Sequence, residues 1–325
     1  MKYMIFGESH GPAIGVTMEG VPAGLTLDRA FIRAEMARRA PGKSPLSTAR
    51  QEKDEVEVLS GEFEGKTTGT PLCAVIFNTD TRSGDYAKLR ILPRPGHADY
   101  AGSVRYSGCN DYRGGGHFSG RLTAPLVFAG AVAKLALRQR GVEVAARIAN
   151  VAGIPDPTPD QVEAAVLAAK ADLDSVGGQV SCAVTGLPAG VGSPDFGGNV
   201  EGIFSQYLFA VPAVKAVEFG AGVAFAGMRG SQANDPFYMD AGAVRTRTNH
   251  AGGVNGGITN GMPVEFRVTF RPTPSIAQKQ ATVDLAAGRD AELEITGRHD
   301  PCIVPRAVPV VEAAAALAAC ELLGI

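Results

Sequence analysis

The chain contains only five histidines, His10, His97, His117, His250 and His299, and each stands among Gly, Pro, Ser, Asn or Asp rather than on an apolar face. Imidazole titrates near neutrality and loops carry sites, so such histidines are candidate acid–base groups. The plainer alternative is a surface histidine bonded to its own loop. Two of them fall between residues 90 and 121, where Arg90, Arg94, Arg105, Arg113 and Arg121 are set against only Asp99 and Asp111. This stretch holds Arg94-Pro95-Gly96-His97-Ala98-Asp99 and closes on Arg113-Gly114-Gly115-Gly116-His117-Phe118-Ser119-Gly120-Arg121, just ahead of a helical run. Glycine lets a backbone approach a ligand closely, a helix start attracts anions, and arginine pairs in bidentate fashion with phosphate and carboxylate. The chemistry these residue types suit is capture of a small polyanion with proton transfer beside it. A glycine-rich turn with solvated arginines is the bland alternative.

Other segments carry similar residues. Gly7-Glu8-Ser9-His10-Gly11 fits the G-x-S-x-G pattern of a serine nucleophile, but an elbow needs a helix after it, and Pro12–Thr17 reads as another strand. Asn249–Gly257 is a double-glycine loop, followed by Phe270-Arg271-Pro272-Thr273-Pro274-Ser275; together they suit a phosphate site or a hairpin connection. Gly297-Arg298-His299-Asp300-Pro301-Cys302 places a base, a cation and a carboxylate in one proline-limited loop, where a salt-bridged turn is the alternative. Arg38 and Arg39 close a helix, where cations suit the helix dipole without any ligand. No P-loop lysine or GxGxxG follows the glycine run, so neither nucleotide motif is supported.

The elements that must position these loops are legible in outline. Helices are predicted over Asp28–Arg39 with Thr26 as cap, over Leu122–Arg140 ending at Gly141, from the Thr158-Pro159-Asp160-Gln161 capping box, after Asn199, and over Val310–Leu323. Strands are predicted at Tyr3–Phe6, Ile14–Met18, Val56–Ser60, Leu72–Phe77, Val142–Ile148, Gln179–Val184, Val214–Phe219 and Val264–Phe270. Strands come in pairs and do not alternate strictly with helices, which reads as α+β. Gly20-Val21-Pro22-Ala23-Gly24 is echoed by Gly186-Leu187-Pro188-Ala189-Gly190, and Thr68–Leu72 by Asn260–Val264, in the same order. One domain, residues 1–325, with two similar halves meeting near residue 150 follows from that order.

Composition narrows the function classes. The 325 residues carry a formal net charge of −2 and are 45% hydrophobic and 20% charged. A pI near 6.2 without a basic tail argues against a nucleic-acid partner. No apolar run reaches the roughly 18 residues of a membrane span, and the start meets Gly7-Glu8-Ser9-His10 before a signal core can form. Five scattered cysteines without a CxxC pair suggest a reducing cytoplasm and no zinc site or other metal.

Taken together, the segments Gly7–Gly11, Arg39–Ser44, Ser60–Pro71, Asn78–Tyr86, Arg94–Tyr100, Arg113–Arg121, Asp174–Gly178, Asn249–Gly257, Pro272–Ile276 and Gly297–Pro309 resemble the motifs of the chorismate synthase family, in its order and over the whole chain. The resemblance implies a β-α-β sandwich with central helices between antiparallel sheets, internal pseudo-two-fold duplication and a homotetramer. It implies a 1,4-anti elimination in which 5-enolpyruvylshikimate 3-phosphate loses phosphate and a C6 hydrogen to give chorismate in the shikimate pathway of aromatic amino acid biosynthesis. Reduced FMN (FMNH2) would be required without net redox change, and NADPH only if an intrinsic flavin reductase activity exists.

By the same resemblance, His10 would protonate or stabilise the departing phosphate, with Ser9 organising that site. His97 would be the acid supporting the reduced flavin, Asp300 would act near flavin N5 in removing the C6 proton, and Ser119 would join that network. Arg39, Arg94 and Arg121 would grip the substrate. The flavin would fall to His117, Phe118, Ser119, Gly256, Arg271, Pro272, Thr273, Pro274, Ser275 and Arg298. The chain departs from the family pattern at RGGGHFSGR, where RGGGRSSAR is common, and at Arg271, where lysine is usual. Pro45 replaces an arginine linked to nicotinamide use in some members, which speaks against a built-in reductase. A non-catalytic flavin- or anion-binding relative of the same fold is the alternative.

Overall fold

The computed structural model describes residues 1–42, 54–79, 83–295 and 300–325. Alternation of apolar and polar residues builds two antiparallel sheets. The first comprises β1 (Lys2–Gly7), β2 (Ala13–Glu19), β3 (Glu57–Ser60) and β4 (Leu72–Phe77), in the order β1-β2-β4-β3. The second comprises β5 (Glu143–Val151), β6 (Gly178–Thr185), β7 (Val214–Phe219) and β8 (Val264–Phe270), in the order β7-β8-β6-β5, with the short strand Ile154–Pro155 beside β5. Period-two positions make the inner faces. Ile14, Val16 and Met18 of β2 are fully buried opposite Ile76, Ala74 and Leu72 of β4. Val180, Cys182 and Val184 of β6 lie likewise opposite Val268, Phe266 and Val264 of β8.

Helices accompany the sheets, and the longest two lie between them. α1 (Arg29–Arg39), α2 (Asp99–Arg105), α3 (Thr123–Arg138), α4 (Pro159–Ala171), α5 (Val200–Phe209) and α6 (Val304–Leu322) follow in chain order. α3 packs on the first sheet, α6 on the second, and the two pack on each other. Small residues allow this close approach: a Cβ on Gly130 would stand 2.2 Å from the Cβ of Ala313. The segment Gly120–Arg138 has the length and mean hydropathy of a membrane span, yet 83% of its apolar window is buried inside the fold. Its apolarity belongs to the core, although the expectation that no stretch reaches that measure was too strict.

The two GxPAG turns occupy matching places. Thr67 Oγ1 donates to the Pro22 carbonyl at 2.5 Å and accepts from Leu25 N at 3.0 Å. Thr259 Oγ1 donates to the Pro188 carbonyl at 2.7 Å and accepts from Val191 N at 2.9 Å.

Some boundaries differ from the sequence reading. The cap of α1 is Asp28, whose carboxylate accepts from Ala30 N and Phe31 N, rather than Thr26. α6 begins at Val304, six residues before the expected start, because Pro305 sits in the first turn, where no N–H is needed. Pro309 lies inside that helix and removes one helical hydrogen bond. Helix α2 and the hairpins Phe237–Asp240 with Ala243–Thr246 and Gln280–Asp284 with Arg289–Leu293 were not anticipated. They are short and mostly exposed, so their residues carry no core periodicity.

Candidate active site

The functional loops gather where the ends of α1, α3 and α6 meet the edges of both sheets. Ser9 and His10 sit in the connection between β1 and β2. Ser9 is fully buried, its amide donates to the Gly116 carbonyl at 3.2 Å, and its hydroxyl lies 3.1 Å from His10 Nδ1 and 3.1 Å from the Gly114 carbonyl. A strand follows it, not a helix, and the hydroxyl is enclosed, so a serine-nucleophile role has no geometric support. The Tyr86 ring meets His10 edge-on at 5.0 Å.

The glycine run is pressed against two histidine rings. Gly114, Gly115 and Gly116 all have positive φ, at 58°, 85° and 53°. A Cβ on Gly114 would stand 2.1 Å from His10 Cε1, and one on Gly115 2.9 Å from His97 Cε1. The loop is thus a thin wedge between the two histidines, and the absence of side chains lets both rings close on it. Gly116, whose Cβ would meet the Asp111 carbonyl at 2.1 Å, completes the turn.

His97 is held by a carboxylate. Its Nδ1 lies 2.6 Å from Asp99 Oδ1, and Arg94 Nη2 lies 3.1 Å from the same nitrogen and 3.3 Å from Nε2. Asp99 also accepts from Arg94 Nε and Nη2, both at 2.7 Å, and Arg94 Nη1 donates to Ser275 Oγ at 3.1 Å. Burial pushes the Asp99 carboxyl up, but the hydrogen bonds from Arg94 and His97 outweigh it and hold the group well below the usual carboxylate range.

Arg39 and Arg121 form another wall, and both are nearly inaccessible. Arg39 donates from Nε to Thr123 Oγ1 at 3.1 Å and from Nη2 to the Gly120 carbonyl at 3.1 Å. Arg121 Nε donates to Asn78 Oδ1 at 3.1 Å, and Asn78 in turn donates to the Glu8 and Gly11 carbonyls, locking the His10 turn to this wall. Asp300 and Arg306, at the start of α6, form an ion pair of 2.5 Å, and Arg306 Nε donates to the Arg39 carbonyl at 3.0 Å.

One cavity is lined by His10, Arg39, Arg94, His97, Ser119, Arg121 and Asp300, and by Phe118, Arg271, Thr273, Pro274 and Ser275. Val211, Ala213, Phe270, Ile303 and Val310 give it an apolar side. The Arg271 guanidinium faces it with no hydrogen bond or ion pair among the described residues, and burial lowers its pKa. The buried Thr273 Oγ1 likewise has no hydrogen-bond partner among the described residues. An apolar wall beside an unpaired cation and an unpaired hydroxyl suits a flat, anionic cofactor such as a flavin mononucleotide.

Three expected cofactor residues are not brought to this cavity. His117 is exposed and its Nδ1 pairs with the Gly7 carbonyl at 2.9 Å. Pro272 does not line the cavity. Gly256 lies in the turn between Val254–Asn255 and Ile258–Thr259 and is equally outside the lining. The 249–257 loop is instead a hairpin connection, tied down by Asp235, which accepts from His250 N and Ala251 N. Arg298 and His299, like Lys43, Ser44 and Pro45, lie outside the described residues.

Sequence reasoning missed Asp54, Asp99 as a histidine partner, Asn78 and Arg306. Asp54 stands in a charged run that reads as surface, and Arg306 in what reads as a proline-broken lead-in. No spacing signal marks either one.

Two sheets enclosing a helical layer, with arginines, histidines and carboxylates converging at its end, define an α+β enzyme acting on a small anion. A family profile described as chorismate synthase matches residues 1–323. Among curated relatives, the chorismate synthase of Methanocella arvoryzae is 49% identical, over 96% of this chain and 89% of its own length. Those of Thermococcus gammatolerans and Parabacteroides distasonis are 46% and 43% identical, each over 96% of this chain and over 93% and 92% of their own lengths. A crystal structure of chorismate synthase superposes with a TM-score of 0.75 at 24% identity, covering 99% of this chain and 91% of that one, which shows the shared fold. The chain belongs to the chorismate synthase family.

Proposed function

We propose that the cavity catalyses the loss of phosphate and a C6 hydrogen from 5-enolpyruvylshikimate 3-phosphate, giving chorismate. The observation that carries this reading is the convergence of Arg39, Arg94, Arg121, His10, His97 and Asp300 on one cavity. The substrate bears a phosphate and two carboxylates, and arginines on separate walls match anions that lie apart on one ring. His10, steadied by Ser9, Tyr86 and the glycine wedge, donates a proton to the departing phosphate oxygen. Asp300, oriented by Arg306, takes up the proton lost from C6. His97 lines the same cavity, with Asp99 behind its Nδ1.

Reduced FMN, when bound, supplies an electron-rich ring that lends charge transiently to the substrate. Phe118, Ser119, Arg271, Thr273, Pro274 and Ser275 are the residues that would hold it. Arg271 and Thr273 Oγ1 would gain the partners they lack, and Val211, Ala213 and Phe270 would cover its flat face. Asp300 and His97 line the same cavity.

The same reading includes one domain of two similar halves, a homotetramer and a cytoplasmic location. Matching strand orders and the paired Thr67 and Thr259 bonds support the first. Exposed apolar side chains such as Met4, Phe63, Phe77 and Phe237 support assembly, and native mass spectrometry tests it.

The test of function is an anaerobic assay with 5-enolpyruvylshikimate 3-phosphate and dithionite-reduced FMN, following chorismate absorbance and released phosphate. Matched release of both is expected. Adding NADPH with oxidised FMN tests for an intrinsic reductase, which is not expected. A flavin spectrum that shifts on substrate addition without turnover would instead favour a binding-only relative.

A further inference from the structure

Asp54 lies just ahead of β3, and its side chain is completely buried. Its Oδ2 accepts from Arg39 Nη1 at 2.8 Å, and its Oδ1 accepts from Arg121 Nη1. Arg39 comes from the end of α1 and Arg121 from the lead-in to α3, so one carboxylate joins two elements that approach the cavity separately. Its backbone is left-handed, with φ at 51°, a conformation aspartate tolerates better than most residues. Three cations crowd this wall, because Arg306 also donates to the Arg39 carbonyl. Burial, and then the charge on Arg306, pull the Arg39 guanidinium down to about 10.

We propose that Asp54 is a positioning residue for anion capture, clamping Arg39 and Arg121 side by side so that both guanidinium groups present their charge to the same substrate anion. The inference rests on the reading of the cavity as the elimination site, but it concerns binding of the anion and not the chemical step.

A carboxylate behind two arginines acts in two ways with opposite signs. As a charge it weakens the field the arginines offer, so removing it would tighten anion binding. As a clamp it fixes both planes. An amide in its place keeps the shape but has one acceptor oxygen, and its NH2 would oppose an arginine N–H, donor against donor. One guanidinium must then turn away. The sign of the change separates the two roles.

The experiment uses the full chain and the variants Asp54→Asn and Asp54→Glu, the second keeping the charge but moving it by one methylene. KM and kcat are measured with 5-enolpyruvylshikimate 3-phosphate and reduced FMN, and inorganic phosphate binding by calorimetry on the same samples. For Asp54→Asn, KM is expected to rise about tenfold or more, the loss of one charge-assisted hydrogen bond. The fall in kcat is smaller, and phosphate binding weakens in parallel. Asp54→Glu is expected to weaken phosphate as well, since charge without geometry does not restore the clamp. Unchanged or tighter phosphate binding in either folded variant overturns the proposal. If wild-type protein binds phosphate but turns over no substrate, the elimination reading fails, and the phosphate titrations still judge the clamp.

Discussion

His10 and His97 flank the same three glycines but keep different company. His97 backs onto the Asp99 carboxylate at 2.6 Å, whereas His10 has a neutral serine hydroxyl at 3.1 Å and a tyrosine edge. His10→Ala and His97→Ala are each expected to lower kcat by about 10²–10⁴-fold with the fold intact, the usual worth of a positioned acid. Circular dichroism checks the fold, and wild-type turnover by either variant would remove that residue from the mechanism. The wedge makes its own prediction. Gly114→Ala forces a Cβ into the space of the His10 ring, and turnover should fall toward that of His10→Ala while overall secondary structure persists. An alanine variant with full activity would mean that the ring position does not matter.

Between elements, a largely buried cluster of charges ties α1, α3, α6 and β5 together. Glu312 of α6 accepts from Arg38 of α1 at 2.6 and 2.8 Å, from Lys134 of α3 at 2.5 Å, and from Ala146 N of β5 at 2.9 Å. Glu35 pairs with the same Lys134 and Arg38. Removing one member of such a cluster leaves Lys134 poorly compensated in the core, so Glu312→Ala is expected to cost roughly 3–5 kcal/mol in urea unfolding. A loss under about 1 kcal/mol would place the pairs among the weak surface kind. Arg38 is partly exposed, and its share is correspondingly smaller. This cluster orients α1, whose last residue is Arg39, so a site contact depends on packing one turn away.

For the molecule as a whole, three buried carboxylates set the response to acid. Burial raises Asp54, Asp99 and Glu312, but their arginine, lysine and histidine partners prevail and hold each below its ordinary value. A carboxyl depressed in the folded state stabilises it above the unfolded pKa, and that stability is lost as pH falls. With unfolded values near 4, the thermal midpoint should be level above about pH 5 and fall progressively below about pH 4. A midpoint unchanged down to about pH 2.5 would contradict these pairings.

What the sequence determined by itself was local or repetitive. The pleated apolar positions of β2, β4, β6 and β8, the Thr158 and Asn199 caps and the two GxPAG turns follow from patterns a few residues long, because period and capping are local physics. The ten collinear motifs of the family also marked the arginines, histidines and Asp300 as one set. Tertiary structure alone decided which of them meet. His117 and Gly256 carry promising neighbours in sequence yet lie outside the cavity, while Asp54, Asn78 and Arg306 carry none and hold its walls. The same glycines that read as a ligand cradle turned out to seat two histidine rings. A hydrogen bond between residues 67 apart in sequence, such as Asp54 to Arg121, leaves no spacing to read. Its partners are chosen by how the helices and sheets close over the core.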